Sequence, residues 1–191
     1  MADDPPYSVR RSRLVAENSR WRVYFDRLEA EDGHCLVPDY LTLDPKICVG
    51  GTVTGVIVIP ETAGRIALLN NYRHAIGCWS LEAVKGFVDE GESAVDAAHR
   101  ELAEEAALGC GADEMMSLGA LSVEGSTIRS RSAVFLARNC HAARAPADEE
   151  PGLGSVSLYD AQMVERMARD GGIEDSGTLV AWFRAAPLLV R

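Results

Sequence analysis

The stretch that decides the fold is residues 86–108, GFVDEGESAVDAAHRELAEEAAL, in which a glycine-containing turn leads into a helix of unusual charge. Ser93 can cap the start of this helix, and Asp96 in the first turn favours the positive end of the helix dipole. We expect the helix to span 94–108 and to stop at Gly109, because glycine readily adopts the left-handed conformation of a helix end.

The helix has an apolar side and an adjoining acidic side at about 100° per residue. The apolar stripe, which we expect to face a sheet, consists of Val95, Ala98, Leu102 and Ala106. Glu101, Glu104 and Glu105 fall beside it, and Arg100 lies one turn before Glu104. The helix therefore places three carboxylates along the edge of the predicted core.

Such a strip of like charges destabilises the helix by about 0.3 kcal/mol per pair unless something neutralises it. Mg²⁺ and Mn²⁺ prefer oxygen ligands, and Mg²⁺ completes its shell with water and substrate phosphates. Carboxylates one helical turn apart can hold such ions. A solvated acidic face with one Arg–Glu pair is the alternative for the helix taken alone.

The whole segment resembles the Nudix box, G-x5-E-x7-R-E-U-x-E-E-x-G-U, in which U is a bulky apolar residue. Eight of the nine specified positions match: Gly86, Glu92, Arg100, Glu101, Leu102, Glu104, Glu105 and Leu108. The departure is Ala107 in place of glycine, and we expect the helix simply to continue through it.

The resemblance extends to the ADP-ribose pyrophosphatase type of Nudix enzyme. The similar stretches are Asn71-Tyr72-Arg73 (QYR in that type), residues 81–86, LEAVKG (LELPAG), and the acidic Asp148-Glu149-Glu150. A predicted hairpin beginning at Trp21 resembles the arm that those enzymes exchange in dimers. One feature disagrees, because Glu124 stands where these enzymes often have proline.

The resemblance implies roles for residues of the box. It implies metal binding by Glu101, Glu104 and Glu105, joined by the backbone carbonyl of Lys85, with Mg²⁺ or Mn²⁺ as the ion. Glu104, Glu105 and Arg100, which orients Glu104, are then catalytic. Gly86 and Glu92 are expected to be structural members of the loop.

Other residues complete the expected site. The general base of ADP-ribose-type enzymes is a glutamate on a later loop, for which Glu150 is the first candidate, Glu149 the second and Glu124 the third. A solvated acidic turn is the alternative for residues 148–150. Arg73, Glu82 and Trp21 are expected to bind substrate, although Arg73 could equally form a surface ion pair and Trp21 could pack in a core or interface.

Composition bounds the class of protein. The 191 residues carry a net charge of −10, which argues against a nucleic-acid or anionic-membrane surface. No apolar stretch approaches the roughly 20 residues that span a bilayer. Five cysteines, an odd number without a CxxC pair, favour reduced thiols in a cytoplasmic protein.

The order of predicted elements indicates an α+β protein. We expect the Nudix fold, an α/β/α sandwich with a mixed sheet. Three regions are predicted: a flexible lead-in (1–18), an N-terminal hairpin arm (19–46) and the Nudix domain (47–191). Besides the helix over 94–108, the predicted elements are strands at 21–27, 36–43, 52–60, 65–72, 79–84, 118–123, 132–137 and 156–158, and helices at 160–169 and 177–186.

The sequence thus predicts a metal-dependent homodimeric hydrolase that cleaves the diphosphate of ADP-ribose or a related nucleotide sugar. Two alternatives stay open. The first is a Nudix hydrolase of a nucleoside triphosphate, dinucleoside polyphosphate or coenzyme A. The second is a non-catalytic Nudix domain that binds a nucleotide or a protein.

Overall fold

A computed structural model of the chain describes residues 5–143 and 151–189. The strands in these residues are β1 (Ser8–Glu17), β2 (Trp21–Glu29), β3 (Cys35–Pro45), β4 (Val53–Thr62), β5 (Arg65–Arg73), β6 (Cys78–Glu82), β7 (Val84–Phe87), β8 (Leu108–Gly109), β9 (Met115–Leu121), β10 (Arg131–Ala137), β11 (His141–Ala142) and β12 (Val156–Tyr159). The α-helices are α1 (Ala94–Ala106), α2 (Ala161–Asp170) and α3 (Ser176–Leu189).

The central sheet is mixed and lies between helices. Its strands run in the order β12-β5-β4-β10-β9, with β6 paired to β5 and β7 paired to β4. Strands β4 and β10 are parallel, whereas the other pairs are antiparallel. The predicted α+β fold, an α/β/α sandwich with a mixed sheet and an N-terminal hairpin, is confirmed.

The alternation of side chains along β4 explains the two layers. Val56 and Val58 face a core that includes Ala98 and Leu102 of α1. Ile57 and Ile59 face the opposite core, which contains residues of α2 and α3. A strand that is buried on both faces has a nearly continuous apolar sequence. Residues 52–60, TVTGVIVIP, have such a sequence.

The N-terminal region forms a three-stranded sheet in the order β1-β2-β3. The expected flexible lead-in over 1–18 is therefore wrong for Ser8–Glu17, which pairs with β2 along its length. Backbone pairing holds β1, and nearly all of its side chains are exposed, so the sequence carries no apolar alternation to mark it. Cross-strand contacts add to the pairing, such as Ser12 Oγ donating to Asp26 at 2.5 Å.

The N-terminal sheet is attached to the main sheet through the loop that follows β9. Leu43 N donates to Thr127 O at 2.8 Å, and Arg129 N donates to Leu43 O at 2.9 Å. The ring of Trp21 meets that of Phe87 edge-on, with centroids 6.0 Å apart. These contacts bring the start of β2 to the end of β7.

Two predicted elements differ in detail. The single strand expected over 79–84 is two strands, because the chain leaves β5 at Glu82 and joins β4 at Val84. The helix expected to end at Leu108 ends at Ala106, and Ala107 adopts the left-handed conformation with φ 52°. Val95, placed in the apolar stripe, is exposed, because the buried face of α1 is centred on Ala97, Ala98 and Leu102.

Within the described residues, none of the helices combines the length and the apolar character that crossing a membrane requires.

Candidate functional site

The loop before α1 is held in place by Arg100. Ser93 caps the helix, accepting from Asp96 N at 3.2 Å as expected. Arg100 donates to both carboxylate oxygens of Glu92 at 2.9 Å and to Phe87 O at 2.8 Å. The hydrogen bonds from Arg100 lower the pKa of Glu92, and in turn they raise the pKa of the guanidinium. The loop and the helix therefore form one charged unit.

The three glutamates of α1 differ in exposure and in partner. Glu101 is only 7% exposed and accepts from Arg100 Nη1 at 2.8 Å. Glu104 is exposed and accepts from the same nitrogen at 2.9 Å, which is the expected pair one turn apart. Glu105 accepts from the backbone N–H of Lys85 at 2.9 Å. The helix thus directs two glutamates at strand β7 and one at solvent.

Gly86 leaves room for Glu101. A Cβ built on Gly86 would lie 1.8 Å from the carboxyl carbon of Glu101, so the carboxylate occupies the space of a side chain. Close packing continues one strand further, where a Cβ on Gly55 would lie 2.6 Å from Gly86 O. The absence of a side chain at residue 86 is what allows a buried carboxylate to approach the backbone of β7.

A second charged cluster lies beside the first. Arg73 Nε donates to the buried Glu82 at 3.0 and 3.1 Å, and Lys85 Nζ lies 2.6 Å from Glu82 and 2.8 Å from Asp175. Burial by itself raises the pKa of Glu82, but Arg73 and Lys85 outweigh it and hold that pKa below its ordinary value. Burial opposes ionisation of Asp175 too, and the Lys85 charge lowers its pKa.

Two members of this cluster were missed by sequence reasoning. Only the backbone carbonyl of Lys85 was expected to take part, and Asp175 was assigned no role. Asp175 Oδ1 accepts from Thr178 N at 2.7 Å and so caps α3, while Thr178 Oγ1 accepts from Ala83 N at 2.9 Å. The Asp-x-x-Thr spacing at a helix start was a usable signal for the cap, although not for the ion pair.

The clusters border two cavities. The first, of about 290 Å³, is lined by residues that include Trp21, Arg73, Lys85, Gly86 and Phe87. The second, of about 620 Å³, is lined on its apolar side by Ile76 and Trp79. Arg73 and Asp175 line both, so the arginine predicted to bind substrate stands where the cavities meet.

The structure brings most of the predicted site residues into one region. Those that line the first cavity or contact residues lining it are Trp21, Arg73, Glu82, Lys85, Gly86, Arg100, Glu101 and Glu105. Glu104 and Glu92 join the region through Arg100. Phe87 and Ser130 also line the cavity, and no sequence pattern pointed to either residue.

The structure describes only one of the three candidates for a general base, Glu124. Glu149 and Glu150 lie outside the described residues. Glu124 is exposed on the loop after β9 and accepts from Ser126 N at 3.0 Å. The hydrogen bonds from Ser126 lower the pKa of Glu124.

Across residues 5–143 and 151–189, no three His, Cys, Asp or Glu side chains are grouped so as to hold a metal ion. Arg100 Nη1 donates to both Glu101 and Glu104, whereas Glu105 accepts from Lys85 N. The donor set is nevertheless one that a hard divalent cation prefers: carboxylates and a nearby backbone carbonyl.

Comparison with known proteins gives likenesses of three kinds: to a family, to a curated protein and to a solved structure. A model of the NUDIX domain matches residues 51–183. The ADP compounds hydrolase NudE of Escherichia coli (strain K12) is 30% identical over 110 residues, which are 58% of this chain and 58% of that protein. The chain thus matches little more than half the length of this relative.

The third likeness is to a crystal structure of an ADP compounds hydrolase, with a TM-score of 0.79 over 97% of this chain and 95% of that one. Because the identity is 20%, this likeness supports the fold alone.

Proposed function

Because this chain belongs to the Nudix family, as residues 86–108 predicted, we propose that it hydrolyses the diphosphate bond of a nucleoside diphosphate linked to another moiety. The proposed substrate is ADP-ribose or a related nucleotide sugar, and the products are a nucleoside monophosphate and a sugar phosphate. The name ADP compounds hydrolase, carried by the relative that is 30% identical, supports an ADP-containing substrate.

One observation carries the proposal. Glu101 and Glu105, one helical turn apart, both reach the Lys85-Gly86 segment of β7. That segment lines the cavity in which Arg73 is also found. Acidic groups suited to a cation and a basic group suited to a phosphate therefore adjoin the same space.

The proposed cofactor is a divalent cation, Mg²⁺ or alternatively Mn²⁺. Glu101, Glu104, Glu105 and the Lys85 carbonyl would hold it, and it would supply charge neutralisation and an activated water. The space above Gly86 that the Glu101 carboxylate fills fits this assignment, because it brings the carboxylate to the backbone of β7. Arg100 balances the charges of Glu101 and Glu104 in the structure described.

The surroundings of Arg73 suit a substrate in which a diphosphate joins two larger groups. Glu82 fixes the guanidinium from one side, and the Arg73 side chain keeps 41% of its surface exposed. A diphosphate bound at Arg73 would have one cavity on each side of it. We propose that Trp21 contacts the nucleotide and that Glu82 acts by orienting Arg73.

Three further parts of the proposal rest on the sequence. Glu150, then Glu149, then Glu124 are the proposed general bases. A homodimer built through the N-terminal sheet is the proposed assembly, and apolar side chains on that sheet, such as Val9 and Leu14, are exposed as a partner surface requires. The proposed location is cytoplasmic, in keeping with five cysteines that are free thiols.

The test is a substrate panel with the purified full chain and Mg²⁺ or Mn²⁺. ADP-ribose, other nucleotide sugars, nucleoside triphosphates, dinucleoside polyphosphates and coenzyme A are compared by kcat/KM, with products identified by chromatography. We expect ADP-ribose or another nucleotide sugar to rank first and to yield a nucleoside monophosphate. A preference for another class would refute the substrate assignment, and no turnover of any substrate by folded protein would favour a binding domain.

A further inference from the structure

Two cysteines face each other across a short strand pair that the proposed hydrolase site does not use. In the antiparallel pair of β8 and β11, His141 is opposite Gly109 and Ala142 is opposite Leu108. The same register, extended by one residue, places Cys140 opposite Cys110. Residues directly opposite in an antiparallel pair project to the same side.

The hydrogen-bond pattern shows which kind of pair the cysteines form. Ala143 N donates to Ala107 O at 2.8 Å, and the hydrogen-bonded pairs then alternate along the ladder. Cys140 N donates to Glu61 O at 2.8 Å, on a different strand, which agrees with a non-hydrogen-bonded pair at Cys110 and Cys140. In such pairs the Cα atoms lie about 4.5 Å apart, within the roughly 4.4–6.8 Å that a disulfide spans.

Both thiols enter the same core. Cys140 is 5% exposed and belongs to the core beneath α1, against which the half-buried Cys110 packs. The Cys140 side chain acts to lower the pKa of Cys110, which agrees with the placement of the two residues opposite each other. Burial outweighs that contribution and raises the pKa of Cys110, and it raises the pKa of Cys140 to about 12.

We propose that Cys110 and Cys140 are a disulfide-forming pair that a small peroxide oxidises within the folded chain. Cys110 loses its proton, the resulting thiolate attacks a peroxide oxygen, and the O–O bond breaks to give a sulfenic acid and hydroxide, which takes up that proton and becomes water. The Cys140 sulfur then attacks the sulfenic sulfur, the S–S bond forms, and the S–O bond breaks with release of a second water. Two thiols lose two electrons in total, and hydrogen peroxide gains them.

The bond would tie β11 to β8, the strand that follows the glutamate-bearing helix α1. It closes a loop of about 30 residues, which is long enough to stabilise the fold appreciably by restricting the unfolded chain. We expect the oxidised protein to unfold about 10 °C higher than the reduced protein. Because thiolate is the reacting form and burial disfavours it, formation is expected to accelerate from pH 7 to pH 9.

The experiment exposes the reduced full chain to a small excess of hydrogen peroxide, alkylates the remaining thiols and maps the peptides by mass spectrometry. The expected result is loss of two hydrogens, a peptide pair joined through Cys110 and Cys140, and full reversal by dithiothreitol. Cys110→Ser abolishes the linked peptide and the rise in Tm, whereas Cys48→Ser, at an exposed cysteine outside the pair, changes neither.

The proposal is overturned by either of two results in folded protein. One is that Cys110 stays open to alkylation or gains only oxygen atoms, with no linked peptide. The other is that the linkage joins different cysteines, such as Cys48 and Cys78 of two chains. Both readouts are independent of hydrolysis, so this proposal and the proposed function can fail separately.

Discussion

Gly86 shows how one missing side chain determines the site at the residue scale. Its importance is steric, since its neighbour in space is the carboxylate of Glu101, with oxygens 1.9 and 2.2 Å from the position a Cβ would take. Flexible surface carboxylates can move aside at little cost. Glu101 is buried and hydrogen-bonded to Arg100, so movement here breaks an interaction.

We therefore predict that Gly86→Ala destabilises the protein by about 1–3 kcal/mol, as overpacking does, and lowers hydrolysis by displacing Glu101. Urea unfolding and kcat would be measured together. Gly111→Ala is the matched control, because a Cβ there meets only the Glu114 side chain at an ordinary 3.4 Å. Equal unfolding midpoints for Gly86→Ala and the wild type would contradict the steric argument.

Ala107 is the residue at which the sequence prediction of the helix end was wrong. The pattern predicted that the helix continues, because alanine is the best helix former. The helix α1 instead ends at Ala106, and Ala107 adopts φ 52° and donates its N–H to the carbonyls of Leu102 and Ala103. The family motif has glycine at this position, and that glycine correctly indicates a left-handed helix end.

Ala107→Gly is expected to stabilise the protein by about 0.5–1 kcal/mol, since relief of left-handed strain exceeds the greater freedom of glycine in the unfolded chain. The measurement is the urea midpoint. Ala103→Gly, within α1, is the comparison, and it should lower the free energy of unfolding by about 1 kcal/mol. Destabilisation by Ala107→Gly would show that the cap is not strained.

At the scale of elements, the sequence predicts strands that are buried and misses those that are not. The run over 52–60 predicts β4 because both faces of that strand are apolar. Strand β1 is held by backbone pairing and leaves Val9 and Leu14 exposed, so no periodicity predicts it. The change of partner between β6 and β7 is set by tertiary pairing around Ala83, which a local pattern does not encode.

The cluster of Glu82, Asp175, Arg73 and Lys85 links β5, β6, β7 and α3, and it gives a prediction about acid stability. Both carboxylates have folded pKa values below their ordinary ones. Their contribution is therefore fully present above the unfolded glutamate pKa of 4.5 and is lost as the pH falls through the lowered folded values.

We expect the urea midpoint to be constant between pH 7 and pH 5 and to fall below pH 4.5. Glu82→Gln should be less stable at neutral pH and should show a shallower decline on acidification. Glu31→Gln, at an exposed position outside the cluster, provides the control. If the Glu82→Gln curve ran parallel to the wild-type curve, Glu82 would not be the linked group.

At the scale of the molecule, the sequence located the helix that carries the acidic residues but not the whole surface around it. The box residues are consecutive in the chain, so spacing alone brings them together. Asp175 is 90 residues from Lys85 and reaches it only because α3 begins against Ala83. Phe87 and Trp21 meet because the N-terminal sheet attaches to the loop after β9. Such long-range placement depends on packing between elements.

The proposed homodimer is a prediction about the N-terminal sheet. Light scattering on the full chain should give twice the chain mass of 20.6 kDa. Leu14→Glu should give monomers, because it puts a charge on an exposed apolar position of β1. Phe183→Glu is the control, because the Phe183 side chain is 79% exposed and belongs to α3, not to the N-terminal sheet. Dimers in Leu14→Glu would exclude this position from the interface, and a monomeric wild type would reject the assembly.

The proposed function rests on one claim, that the glutamates of α1 support metal-dependent hydrolysis of a diphosphate. Its most direct test is the kcat of Glu105→Gln with ADP-ribose, or with the best substrate of the panel, at saturating Mg²⁺. Glu90→Gln, at an exposed position of the preceding loop, is the control, and circular dichroism checks the fold. We predict a loss of about 100-fold or more in Glu105→Gln and none in the control. Wild-type turnover by folded Glu105→Gln would contradict the claim.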